Sequence, residues 1–342
     1  MFKRLFATAG FGLAALAAVP VASAAAATLD VPIVFVTRAE EPLSFIDPVV
    51  EDPGVWGARL AIKDNQTTGG FLGHNYELVE VSLPADADVR TVFAEQRAAG
   101  HSLFISDLPR RDLLAIVEAP EAEGALIFNG RVADDDLRLN LCFPQVFHTA
   151  LSRAMRADAL VQFLVWKKWT ELFLFAGSTE GDQAYAEAIR RAAKKFGAKI
   201  VAEDSYGYDP IARRTDSGHI QVQRQMPVAT QSADDDYDVM IAIDENEIFG
   251  EYLPFNTYAP RPVAGTHGLV ATSWHRVQEQ WGSTQIQRRF TEIAGRWMEE
   301  RDFGAWLGVR AIGEAVTRTS SADSGKLRDY LRGTDFALGG FK

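Results

Sequence analysis

Short apolar runs alternate with segments whose apolar residues fall three and four apart, and the alternation continues along most of the chain. Val31-Pro32-Ile33-Val34-Phe35-Val36 has the pattern of a strand covered on both faces, and Val55 to Ile62 after it has helical spacing at Trp56 and Leu60. Tyr76 to Leu83 predicts a second strand, Val89 to Ala99 a helix stopped by Gly100, and Leu103-Phe104-Ile105 a third strand. Leu113 to Val117 then reads as helix and Ala125-Leu126-Ile127-Phe128 as a fourth strand. Strands separated by helices imply crossover connections, hence an α/β fold of parallel sheets with helices on both faces.

A second series follows the acidic turn Asp134-Asp135-Asp136. A long helix is expected from about Val146 to Trp166, then the strand Leu172-Phe173-Leu174-Phe175, then a helix carrying Tyr185, Ile189 and Phe196 and ended by Gly197. Lys199-Ile200-Val201, Val239 to Ile243 and Val263-Ala264-Gly265 read as further strands, while the polar, aperiodic residues 209–236 read as loop and irregular helix. From Trp274 onward the chain is helical, with segments at about 284–298, 303–318 and 327–331. Two strand series on a chain of 342 residues predict two α/β lobes. The last residues, Gly339-Gly340-Phe341-Lys342, resemble a turn entering a strand, so a C-terminus cut short is expected.

The first residues stand apart from this pattern. Lys3 and Arg4 precede an apolar run from Leu5 to Val19, then Pro20 and Ala22-Ser23-Ala24, the order of an export signal peptide occupying residues 1–24. The run is shorter than the ~20 apolar residues of a membrane span and no later stretch reaches that length, so a periplasmic protein not integral to the membrane is expected. Over 342 residues, hydrophobic types make up 47% and charged types 24%, proportions that exclude disordered and fibrous classes. Acidic side chains number 46 against 35 basic, and the net charge of −11 repels phosphate backbones, which argues against a nucleic-acid partner. Cys142, the one cysteine, can make no internal disulfide.

Catalytic signatures are missing: the six histidines form no HExxH or H-x-H pair, and there is no G-x-S-x-G, G-x-G-x-x-G or Walker loop. Asp64-Asn65-Gln66-Thr67-Thr68-Gly69 begins like a calcium loop but has Asn75 where Glu is needed, so a helix-ending turn is expected there. In an open α/β sheet, ligands bind beyond the carboxyl ends of the strands. Those positions carry Asp47, Glu51 and Asp52 after the first strand, Ser106-Asp107 after the third, and Asn129 after the fourth. In the second series they carry Thr179-Glu180 and Asp244-Glu245. Helix capping accounts for such residues one at a time. Taken together they outline an oxygen-rich cleft suited to a cationic or amine-bearing ligand, with a bound metal ion as an open alternative. Tyr206, Tyr208, Tyr252, Phe255 and Tyr258 either wall a pocket or pack in the core.

The order of elements, together with Gly54-Val55-Trp56-Gly57-Ala58-Arg59-Leu60-Ala61-Ile62, Gly177-Ser178 to Tyr185 and Asp238 to Asp244, resembles the type I periplasmic substrate-binding proteins of ABC transporters, in the branched-chain amino acid and amide group. Glu41-Pro42-Leu43-Ser44, Asp64 to Gly73, Arg261-Pro262-Val263-Ala264-Gly265 and Gly313 to Thr319 are similar to a subgroup associated with pyrroloquinoline quinone (PQQ)-dependent alcohol dehydrogenase systems, some relatives of which are implicated in lanthanide uptake. The resemblance implies two Rossmann-like lobes joined at a hinge by three crossings, with residues 25–145 in the first, 146–273 in the second and 274–342 returning to the first, and with it closure on a small ligand, a permease as partner, no catalytic residues, no cofactor and a monomer. By position it implies ligand contacts from Ser106, Asp107, Asn129 and Gly130 in one lobe and Thr179, Glu180, Asp244, Glu245 and His267 in the other. Ser106-Asp107-Leu108-Pro109 and Asn129-Gly130-Arg131 keep little of the Ser/Thr-rich loops of amino-acid binders, which points away from an ordinary amino acid. A receptor for a lanthanide or its chelate, and an accessory partner of an alcohol dehydrogenase, are the alternatives.

Overall fold

The computed structural model describes residues 28–39, 50, 52–207, 216–233 and 236–338. The export signal, Asp47, Glu51, Tyr208 and the last four residues lie outside these.

Two parallel five-stranded sheets form the frame. The first contains β1 (Leu29–Arg38), β2 (His74–Leu83), β3 (Leu103–Asp107), β4 (Leu126–Asn129) and β5 (Val146–His148), in the order β2-β1-β3-β4-β5. The second contains β6 (Glu171–Gly177), β7 (Lys199–Tyr206), β8 (Val239–Ile243), β9 (Val263–Gly265) and β10 (Leu269–Val270), in the order β10-β9-β8-β6-β7. Central strands β3 and β8 are buried at every residue, which is why their sequences are continuous apolar runs rather than alternating ones.

In the first lobe, α1 (Val55–Leu72) lies with α8 (Ser283–Ala294), α9 (Glu300–Thr319) and α10 (Ser324–Arg332) on one sheet face, around Phe35, Ile105, Phe128, Trp306 and Ile312. The other face is covered by α2 (Val89–Ala98) and α3 (Arg110–Val117), around Phe93, Phe104, Leu113 and Ile127, with α4 (Asp136–Leu139) at its edge. In the second lobe, α5 (Arg153–Trp166) and α6 (Glu180–Phe196) share one face, and α7 (Asp216–Ala229) packs Val222 and Met226 on the other. The chain passes between lobes at residues 149–152 and again after β10, so the described residues contain two of the three expected crossings.

Three expectations need correction. The helix foreseen from Val146 is preceded by β5, which pairs with β4, so residues 146–148 belong to the first sheet and the helix starts at Arg153. Asp64 to Gly69 is no turn but the interior of α1, which runs on to Leu72. Gly69 is there for space, since a Cβ would stand 2.5 Å from the Tyr76 ring. Residues 216–229, within the stretch read as loop and irregular helix, form a regular α-helix that includes Pro227.

Candidate functional site

Ion pairs and hydrogen bonds gather around the carboxyl ends of both sheets. At the end of β3, the Asp107 carboxylate accepts from Arg301 Nε at 2.8 Å and Nη2 at 2.5 Å and from Thr37 Oγ1 at 2.9 Å. Burial pushes this carboxyl up from its ordinary value, against the pull of Arg301, Arg131 and Thr37. Ser106 beside it is fully buried and its hydroxyl has no hydrogen-bond partner among the described residues.

At the end of β4, Asn129 is spent on the local turn. Its Oδ1 accepts from Arg131 N at 3.1 Å and Val132 N at 2.8 Å, while Nδ2 donates to Val132 O at 2.8 Å and meets His148 Nδ1 at 3.0 Å. Burial, and the charge of Arg138 after it, lower the His148 pKa to about 4, so the ring is neutral and able to accept from the amide. Gly130 N donates to Ser106 O at 3.0 Å, and Gly304 of α9 packs so close that a Cβ on it would stand 3.0 Å from Gly130 O. This approach brings the start of α9 onto the strand ends. Asp52, before α1, accepts from Trp56 Nε1 and has Arg296 Nε at 3.5 Å.

In the second lobe Thr179 is the N-cap of α6. Its Oγ1 accepts from Asp182 N at 3.2 Å and Asp182 Oδ2 accepts from Thr179 N at 3.3 Å, a reciprocal capping box. Glu180 is exposed on the first turn. The other carboxylate oxygen of Asp182 accepts from Glu245 N at 2.8 Å, tying α6 to the loop after β8. In that loop Asp244 Oδ2 accepts from Phe249 N at 2.6 Å and Gly250 N at 2.7 Å, whereas its buried Oδ1 has no partner among the described residues. Burial first, and then the neighbouring Asp244 charge, push the Asp182 carboxyl up. Thr266 Oγ1 accepts from Asp244 N at 2.9 Å and lies 2.9 Å from His267 Nδ1.

Arginines join the two sides. Arg153, in the first turn of α5, holds Glu245 through Nε at 2.9 Å and Nη2 at 2.7 Å and stands 3.3 Å from Asp134 of the first lobe. Asp134 is also 3.3 Å from Arg110 at the start of α3. One turn on, Arg156 Nη2 donates to Glu300 of α9 at 2.7 Å. Although burial opposes it, Arg156 and Ser273 N hold the Glu300 carboxyl below its ordinary value. The Tyr185 hydroxyl, within the influence of Arg153, Arg156, Glu245 and Glu300, is buried without a hydrogen-bond partner among the described residues, and burial pushes its pKa up to about 12.

The structure thus brings Ser106, Asp107, Asn129 and Gly130 together at one set of strand ends, and Thr179, Glu180, Asp244, Glu245 and His267 at the other. Their electrostatics differ from the expectation. Arginines neutralise Asp107 and Glu245, and backbone N–H groups occupy one Asp244 oxygen, so surplus negative charge does not define the site. Among the described residues no three His, Cys, Asp or Glu side chains gather as a metal-ligand set. Arg153, Arg156, Glu300 and Arg301 were missed because their partners lie between 92 and 194 positions away. The only sequence sign was two cations in the first turn of α5, where the helix dipole disfavours them. Of the aromatic wall, Tyr206 and Tyr252 pack partly buried on the Phe175 and Phe249 core, while Phe255 is 91% exposed.

A family model described as periplasmic binding protein matches residues 47–217. The chain belongs to the periplasmic binding protein family. Solved structures of similar fold include a branched-chain amino acid ABC transporter periplasmic ligand-binding protein from Burkholderia xenovorans. It is 16% identical with a TM-score of 0.68, over 90% of this chain and 83% of that one. A putative branched-chain amino acid ABC transporter protein from Rhodospirillum rubrum is likewise 16% identical, TM-score 0.67, over 91% of each chain. An R. palustris solute-binding protein in complex with benzoate is 10% identical, TM-score 0.60, over 91% of this chain and 87% of that one. No curated protein matches by sequence. In this periplasmic binding protein, the paired strand ends and the arginines between them lie where a two-lobed α/β fold places its ligand.

Proposed function

We propose that this chain is the solute-binding component of an ABC importer, exported to the periplasm, which captures a small organic ligand between its lobes and presents it unchanged to a permease. The observation that carries this reading is the start of α9. Consecutive residues there engage both lobes, Arg301 with Asp107 on β3 and Glu300 with Arg156 on α5. A ligand touching both strand-end clusters stabilises the arrangement in which they approach, and its differential affinity for that arrangement is the signal a permease can use. Because the acids are matched by arginines, the ligand favoured is a neutral, zwitterionic or carboxylate-bearing molecule rather than a bare cation. The buried groups without a partner among the described residues, Ser106 Oγ, Tyr185 OH and Asp244 Oδ1, are its candidate hydrogen-bonding partners.

A finer reading places the importer beside PQQ-dependent alcohol oxidation. Its support is the sequence resemblance, and much of that falls on packing residues: Asn65 lies against Gly313, and Gly69 against Tyr76, where α1 meets α9 and β2. Those residues speak to the fold more than to the ligand. The same pairing of acids with arginines disfavours a lanthanide ion as the cargo. Titration calorimetry with amino acids, aromatic and aliphatic carboxylic acids, quinones and metal ions tests the proposal. Saturable binding of one organic class, with a smaller radius of gyration by scattering, is expected; flat heats throughout from folded protein would overturn it.

A further inference from the structure

Five of the chain's nine lysines fall at two helix-to-strand junctions of the second lobe: Lys167 and Lys168 just after α5, Lys194 and Lys195 in the last turn of α6, and Lys199 at the start of β7. These junctions, between α5 and β6 and between α6 and β7, lie at the starting edge of the second sheet, opposite the proposed ligand site. Lys199 N donates to Thr170 O at 2.7 Å and joins them. Elsewhere the basic side chains are mostly arginines drawn into pairs with carboxylates. Here they are lysines, all exposed, and Lys168, Lys194 and Lys199 have no carboxylate partner among the described residues. Lys195 pairs with Asp158 at 2.5 Å.

Exposed aromatics stand beside them. Trp166 is 70% and Phe163 38% exposed, their rings are 5.7 Å apart, and Lys167 Nζ sits 4.9 Å from one centroid and 5.6 Å from the other. Of the acids at this end, Asp158 is held by Lys195, and Asp238 accepts from the N–H groups of Thr170 and Glu171. Glu171 and Asp236 are exposed, and Asp236 follows the short helix Gln231–Ala233 that belongs with the α7 layer on the opposite sheet face. Lysines at helix C-termini complement the helix dipole, but that does not account for an exposed Trp-Phe pair among them.

We propose that the Phe163-Trp166-Lys167-Lys168 corner, with Lys194 and Lys199, is a docking surface for a bilayer carrying anionic phospholipid headgroups. A Trp ring suits the headgroup layer, where its apolar body and N–H are both accommodated, and lysine stems lie along apolar surface while their ammonium groups reach phosphate. The charge complementarity is local, on a protein whose net charge of −11 would otherwise repel such a membrane.

Flotation with vesicles of phosphatidylcholine alone, or mixed three to one with phosphatidylglycerol, tests this, with wild type and variants prepared identically so that the N-terminal residues are common to all. Recovery of the wild type with the anionic vesicles is expected, falling at high salt. Lys167→Gln/Lys168→Gln should weaken it by about fivefold per lysine. Trp166→Ala should weaken it on the anionic vesicles while leaving ligand heats and thermal unfolding unchanged. Equal recovery of wild type and variants, or equal recovery on neutral and anionic vesicles, would overturn the proposal. So would capture that occurs only when an acidic permease is reconstituted in neutral lipid, which would make the corner a protein-binding surface.

Discussion

Asp107 shows what a buried charge asks of its neighbours. Asp107 is 2% exposed, and its carboxylate accepts from Arg301 and Thr37. Arg301→Met keeps the bulk of the side chain but leaves the carboxylate buried without its guanidinium, a change expected to cost about 3 kcal/mol. Denaturant unfolding checks this, and adding Asp107→Asn should restore part of the loss because the two effects are coupled. His148 offers a test by pH. With a folded pKa of about 4 against 6.5 when unfolded, the unfolded chain binds the extra proton between those values, so its contribution is full above pH 6.5 and lost as pH falls toward 4. After discounting for solvent screening of a group only partly buried, the stability difference between wild type and His148→Gln should shrink by about 1–2 kcal/mol from pH 7 to pH 4.5. Neither residue announced its partner. Asp107 could be placed at a strand end because Leu103-Phe104-Ile105 is plainly a strand, yet nothing near it pointed to Arg301, 194 positions on.

At the scale of elements, legibility followed burial. β3 and β8 could be read because both faces are covered and no polar residue interrupts them until their ends. β5 could not, since it has three residues, all half-buried, and its pairing with β4 is a tertiary fact. The length of α1 was hidden by Thr67-Thr68-Gly69-Gly70, which carries turn-like composition, although Gly69 serves helix-to-strand packing against Tyr76. The facing helix repeats that logic. A Cβ at Gly313 of α9 would come within 2.2 Å of the Asn65 amide, whose Nδ2 donates to Val309 O at 2.9 Å. Gly313→Ala must therefore displace a buried hydrogen-bonded side chain. A loss of about 2–3 kcal/mol, despite alanine's better helix propensity, is expected in thermal or denaturant unfolding. Asn65→Ala with Gly313→Ala should recover part of it, because the space that the Cβ needs is then free.

For the whole molecule, what matters is how firmly the lobes hold each other before a ligand arrives. Besides the two crossings among the described residues, the lobes are joined by ion pairs of Arg153 with Asp134, Arg156 with Glu300 and Arg191 with Asp135, and by the hydrogen bond from Ala154 N to Asp135 Oδ1. Arg153 and Arg156 sit at the N-terminus of α5, where the backbone dipole works against them. Arg156 is the clearest case, since its guanidinium binds Glu300 of α9 and also donates to Ala271 O at 3.0 Å beside the second crossing. The pair is partly exposed, at 21% and 29% for the two side chains, so its worth is about 1 kcal/mol and screened by salt. One kilocalorie is small against the stability of either lobe, but it is about a fivefold change in an equilibrium between two arrangements. Arg156→Met should therefore leave the unfolding midpoint almost unmoved while shifting the interlobe distance distribution toward larger separation. Spin labels on exposed positions of the two lobes would read this, and the wild type in high salt should move the same way. A distribution insensitive to both would mean that packing at the crossings, rather than charge, sets the resting arrangement. Ligand-driven closure would then have to work against packing, and affinity should be correspondingly insensitive to ionic strength.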